Sequence, residues 1–192
     1  MGQYIPNRED AYILLTKYTE TEHLIKHALA VEAVMGHFAQ LFNEDIEKWK
    51  VIGLIHDLDF DKYPEQHCDM TEKILREEGW PEDYIRAVIS HGYGLRNDVK
   101  PIDNIEKVIY TIDELTGLVS ATALMRPSKS ILDLEAKSVK KKWGQKSFAA
   151  GVDRDVIQNG VDMLGMELND VIAETIKGMQ TIAEELGLRG NL

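Results

Sequence analysis

Ile52-Gly53-Leu54-Ile55-His56-Asp57-Leu58-Asp59-Phe60-Asp61-Lys62-Tyr63-Pro64-Glu65-Gln66-His67 is the stretch on which the fold of this chain turns. An apolar run drives straight into the adjacent His56-Asp57 pair, then gives way to loop residues that include Asp59, Asp61, Lys62 and His67. Apolar residues on the approach imply burial, and a buried imidazole beside a buried carboxylate requires a compensating partner. A divalent metal suits both at once, because imidazole nitrogen and carboxylate oxygen are its usual ligands. The remaining ligands must then come from elsewhere in the chain.

Outward from that stretch the pattern is helical, with no convincing strand alternation. A helix from about Glu44 to Asp57 ends in the His-Asp doublet. Before it, Glu22 to about Leu41 carries an apolar stripe of Leu24, Ala28, Val31, Val34, Met35 and Phe38. His27 falls within that stripe, His23 on its flank and His37 beyond its edge, so His27 alone of the three is a ligand candidate. A shorter helix runs from Asn7 to about Tyr18, and Thr19 or Thr21 is available to cap the next. After the doublet, Pro64 is expected to open a helix through about Glu78, and Pro81 another that ends near His91. Asp103 or Asn104 caps a long helix to about Met125, with Asp113 at the border of its apolar face. The remainder reads as helices over roughly Asp133–Lys142, Asp153–Leu164 and Leu168–Leu186. The expectation is one compact all-α domain over residues 1–192.

Bulk composition narrows the function. A formal net charge of -11 disfavours a nucleic-acid surface, since phosphate backbones reward basic patches. It leaves room for a small anionic substrate, because a bound metal and a few cations reverse the potential locally. The single cysteine, Cys68, has no partner for an internal disulfide, and no apolar run reaches membrane-spanning length. A cytoplasmic protein is the expectation, with the apolar faces of the last two helices suited to a homodimer.

The ligand-type residues at buried or helix-terminal positions are His27, His56, Asp57, His67, His91 and Asp113. Several imidazoles and carboxylates beside apolar faces would each cost on the order of 1–3 kcal/mol if left unsatisfied, so the set points to metal more firmly than any member. In its early helical His27, its His56-Asp57 doublet and its late Asp113, the sequence resembles the HD-domain metal-dependent phosphohydrolase superfamily over about Thr21–Leu124. It is also similar to a bacterial HD subgroup that shares His56-Asp57-Leu58-Asp59, the Tyr63-Pro64…His67 step and Asp113-Glu114-Leu115-Thr116-Gly117.

The resemblance implies an all-α fold, an HD core over about residues 21–125 with a further helical layer over about 131–188, and His27, His56, Asp57 and Asp113 around one metal. His67 and His91 fall where two-metal members place extra ligands, with Asp57 bridging. The cofactor expected is one or two divalent transition metals among Mn, Fe, Co, Ni and Zn. The activity implied is cleavage of a phosphate ester, in a nucleotide or small phosphorylated metabolite, by a metal-activated water. The doublet is followed by Leu58-Asp59-Phe60-Asp61-Lys62, where several catalytic subfamilies carry a Gly-Lys or a nearby Glu. The resemblance therefore supplies no general base.

Asp57 and Asp59 are the catalytic candidates, with Asp59 as orienter or proton acceptor and Asp61 as a solvated loop carboxylate. Lys62, Arg126 and Lys129 are the candidates for contact with the substrate anion; the last two belong to a basic stretch that continues to Lys140-Lys141-Lys142 and Lys146. Cys68 adjoins His67 within reach of a metal, but a small buried hydrophobe is the commoner outcome and the expectation for it. Two alternatives use the same scaffold: a di-iron oxygenase, since mixed His and carboxylate ligation also suits iron, and a non-catalytic nucleotide- or metal-binding module.

Overall fold

The structure is a computed structural model that describes residues 4–192. Among the described residues it is all-helical, with no strands. The helices are α1 (Arg8–Tyr18), α2 (Glu22–Phe42), α3 (Ile46–Ile55), α4 (Asp69–Glu77), α5 (Glu82–Ile89), α6 (Asn104–Leu124), α7 (Ala136–Trp143), α8 (Arg154–Leu164) and α9 (Leu168–Gln180). Short 3₁₀ turns occupy Pro64–Gln66 and Ser90–Gly92.

Helix α2 is the axis of the molecule, packed against α3, α6 and α9. Its apolar stripe is fully enclosed at Val31, Val34, Met35 and Phe38, and it meets Ile52, Leu54 and Ile55 of α3 and Ile109, Ile112 and Leu115 of α6 in one core. Burying each such side chain is worth about 1.5–3 kcal/mol, which is why the pattern survives as helix. His37, outside the stripe as expected, accepts a structural role: its Nε2 lies 2.6 Å from Glu174 Oε2 and ties α2 to α9.

The local signals behave as their chemistry dictates, with four corrections. Asn7 and Asp10 form a capping box at α1, and Asp45 accepts from the Lys48 amide to start α3. Thr21 is the N-cap of α2, but its side chain does not cap the helix. Asp61 serves that end instead, accepting from the Glu20 and Thr21 amides and the Thr21 hydroxyl. Helix α3 stops at Ile55, two residues short of the expected end at Asp57, because the His56 imidazole takes the Gly53 carbonyl that the Asp57 amide would use in a continued helix.

The helix expected from Pro64 is also broken, at His67 and Cys68, before α4 begins. Asp59 explains the break: Oδ1 accepts from His67 Nδ1 at 2.8 Å and Oδ2 accepts from the Thr71 amide in the first turn of α4 at 2.8 Å. Finally, α9 ends at Gln180, and the chain then folds back so that the Ile131 amide donates to Leu188 O. The C-terminal helices lie directly on the core, α8 against α6 and α9 against α2.

The α2–α3 crossing is close because Gly53 has no side chain. A Cβ there would lie 2.9 Å from Met35 Cγ and 3.1 Å from the Glu32 backbone. We predict that Gly53→Ala destabilises the protein by about 1–3 kcal/mol, the range for overpacking a core, read as a lowered urea midpoint.

Candidate metal centre

Four imidazoles and two carboxylates converge between α2, the end of α3, the 67–68 break, the end of α5 and the middle of α6. They fall into two groups that share Asp57. In the first, Asp57 Oδ2 lies 3.6 Å from His27 Nε2 and 3.5 Å from His56 Nε2. Asp113 Oδ1 completes it at 2.9 Å and 3.3 Å from the same two nitrogens. In the second, Asp57 Oδ1 lies 3.4 Å from both His67 Nε2 and His91 Nε2. The six sequence-derived ligand candidates are thus gathered at one place.

Hydrogen bonds behind the imidazoles fix which nitrogen faces inward. His56 Nδ1 donates to Gly53 O at 2.8 Å and His91 Nδ1 to Val88 O at 2.6 Å. A carbonyl only accepts, so Nδ1 carries the proton and Nε2 of the neutral ring is a bare lone pair. His67 Nδ1 is held the same way by Asp59. Thr116 directs its hydroxyl proton to Asp113 O, which leaves its oxygen to accept from His27 Nδ1 at 3.4 Å. With the rings neutral, as a metal ligand must be, bare lone pairs would meet at 3.2 Å between His27 and His56 and at 3.1 Å between His67 and His91. Such pairs repel unless a proton or a metal cation lies between them, and the donor set of imidazole and carboxylate fits divalent transition metals.

The electrostatics point the same way. Burial pushes Asp57 and Asp113 up, but His56 and the other nearby imidazoles outweigh it and hold both below the usual carboxylate range, Asp113 far below. Burial opposes charge on His67 and His91, yet His67 is raised to about 9 by Asp59 and Cys68, and His91 is raised well above its ordinary value by Cys68 and Asp57. The site is built to hold positive charge.

Other expected site residues lie elsewhere or act differently. Asp59 is fully buried with Oδ1 on His67 and Oδ2 on the Thr71 amide and does not line the cavity, so what it does is position His67. Lys62 is turned away from the cavity: its Nζ donates to Lys17 O at 2.8 Å and lies 3.5 Å from Glu20. Arg126 is paired with Asp133 at 2.7 Å in the turn after α6, and neither it nor Lys129 lines the cavity. Thirteen positions separate Arg126 from Asp113, roughly 20 Å at helical rise, so closeness in sequence misleads here.

Above the donors opens a cavity of about 300 Å³. Leu24, Phe60, Leu95, Val152 and Val156 give it an apolar wall, and Arg96 and Glu114 are its charged residues outside the donor set. Arg96 has no ion pair among the described residues, and its loop is fixed by the Arg96 amide on Gly92 O and the Asn97 side chain on Ile89 O. Burial and the neighbouring Asp113 raise the Glu114 carboxyl to about 7, and its Oε2 accepts from the Asp153 amide at 3.0 Å. Arg96 lies five residues after His91 and Glu114 directly after Asp113, so proximity to ligands was the available signal for both. A second cavity, of about 340 Å³, lies beside Glu32, but that carboxylate is already paired with Arg8 and Lys50 and no donor cluster lines it.

Residues 24–118 match the family described as the HD domain, and the chain carries an HD domain over that span. No curated protein and no solved structure matches the chain. The matched segment contains all six donors and Arg96, Glu114 and Cys68. Val152 and Val156 of the cavity wall lie beyond it.

In the metal-free protein His67 keeps its proton up to about pH 9, and a divalent cation must displace it. We predict that metal binding releases protons and tightens as pH rises toward 9. Calorimetric titration in buffers of different ionisation enthalpy measures the release directly.

Proposed function

From an HD domain with this donor set, we propose a metal-dependent phosphohydrolase that cleaves a small phosphate ester and holds two divalent transition metals. The observation that supports this reading above all is the pair of donor groups that share Asp57 at the floor of the cavity, each with two inward lone pairs. His27, His56, Asp57 Oδ2 and Asp113 would hold one cation; His67, His91 and Asp57 Oδ1 would hold the other. When bound, such cations acidify water and neutralise charge that grows on phosphoryl oxygens.

The chain's own residues then divide the remaining work. Arg96 is the unpaired cation at the cavity and takes a substrate oxygen that the donors do not reach. Glu114 lines the cavity with Oε2 fixed on Asp153, and its Oε1 has no hydrogen bond among the described residues, so it is the group we assign to proton transfer in place of Asp59. The exposed apolar side chains of Phe60 and Leu95 at the rim suit an ester whose organic part presents a flat or apolar face.

Full-length protein supplied in turn with Mn, Fe, Co, Ni and Zn should release inorganic phosphate from members of a panel of monoesters, diesters and nucleotides. Asp57→Asn, which weakens both donor groups, is expected to lower kcat by roughly a hundredfold or more. Arg96→Ala is expected to raise KM roughly tenfold, about 1.4 kcal/mol, with kcat nearly unchanged. Dioxygen uptake by the iron form, with no phosphate released from any ester, would overturn the hydrolase in favour of an oxygenase.

A further inference from the structure

Cys68 is 2% exposed and is the chain's single cysteine, so no internal disulfide accounts for it. Its Sγ lies 3.9 Å from His91 Nε2, and the ligand atoms of His67, Cys68 and His91 all lie within 4.8 Å of one another. A small hydrophobe filling the core would not need the backbone found here. Cys68 sits at φ +72°, ψ -44°, a conformation that L side chains rarely adopt and that costs on the order of 1–3 kcal/mol. Glycine would relieve that cost, yet this chain places a thiol there, between the two histidines of the second donor group.

Independently of the cysteine, that group is incomplete. His91 is 6% exposed, its Nδ1 is spent on Val88 O, and its Nε2 is aimed into the cluster, 3.1 Å from His67 Nε2 and 3.4 Å from Asp57 Oδ1. Two imidazoles and Asp57 Oδ1 make three donors, one fewer than a tetrahedral cation takes. The approach of Sγ to His91 suits a further donor there. With metal–nitrogen bonds of about 2.0–2.1 Å and metal–sulfur of about 2.3 Å, a tetrahedral sulfur–nitrogen edge is roughly 3.6 Å and a nitrogen–nitrogen edge roughly 3.3 Å. The structure has 3.9 Å and 3.1 Å.

We propose that Cys68 is a thiolate ligand in the second metal position, beside His67 and His91. The inference rests on the two-metal reading above. On binding, the thiol gives up its proton to solvent and sulfur donates to the cation. The two positions are then chemically unequal. The first offers only nitrogen and oxygen, whereas the second offers a soft sulfur and selects zinc, cobalt or iron over manganese and magnesium.

Cobalt(II) tests this without any assay of activity. The full chain, stripped of metal by chelation and titrated anaerobically, should take up two cobalt ions and develop a thiolate-to-cobalt charge-transfer band in the near ultraviolet. Cys68→Ser should lack that band, keep the visible bands of the first position and bind its weaker equivalent roughly tenfold or more less tightly. Two ions in the wild type with no charge-transfer band would overturn the role of Cys68 and leave the two-metal reading standing. A single ion with no band would overturn both. Should Cys68→Ser fail to fold by circular dichroism, the wild-type band and its stoichiometry decide alone.

Discussion

Four imidazole rings in this protein are each held from behind by an oxygen that accepts the Nδ1 proton, and each therefore turns a bare Nε2 toward the same small volume. Nothing else in the molecule makes sense of those rings. In an apolar interior, four such nitrogens and two carboxylates would be a heavy cost if they were only core. As a receptacle for cations they are already arranged, with tautomers fixed before a metal arrives. The oxygen acceptors are main-chain carbonyls at two rings, a buried carboxylate at the third and a threonine hydroxyl at the fourth, so preorganisation is distributed over three helices and a loop.

The irregularities of the fold follow from that requirement. α3 ends where His56 takes the Gly53 carbonyl, and the chain past Pro64 breaks where His67 turns in toward Asp57. Asp59 makes the second break tolerable by doing two things at once: it holds His67 and accepts an amide at the start of α4. The Gly53 position shows the same economy, since its missing side chain lets α3 approach α2 while its carbonyl fixes His56. Backbone strain at Cys68 sits at the donor cluster, where local cost is usually tied to function.

How much of this was legible in the sequence depends on the range of the cause. The stripe of α2 and the length of α6 were readable because periodicity is local and repeated over 21 residues in each. The six donors were readable because several ligand-type residues beside apolar faces ask for one common explanation. Helix ends near the site were not, because His56 and Asp59 override the backbone pattern through side-chain bonds that no propensity encodes. Lys62, Arg126 and Lys129 were chosen for charge and nearness along the chain, yet Lys62 turns back onto α1 and Arg126 is neutralised by Asp133. Arg96 and Glu114 lie near His91 and Asp113 in the sequence, but only the fold shows that both line the cavity. Asp61, set aside as a solvated carboxylate, in fact caps α2 across forty residues of sequence.

The cavity lies at a seam between the HD domain and the chain that follows it. Every donor sits within the matched segment 24–118, whereas Val152 and Val156 on the wall come from the chain after it. The Asp153 amide, at the start of α8, reaches back to Glu114 beside the donor Asp113. Arg154 fixes the loop before it, donating to the carbonyls of Trp143, Gln145, Phe148 and Val152. A shift of α8 on α6 therefore changes the shape of the cavity and the setting of Glu114 without moving a single donor. The wall of the cavity is thus set in part by the C-terminal helices, while the donors on its floor come from the HD domain alone.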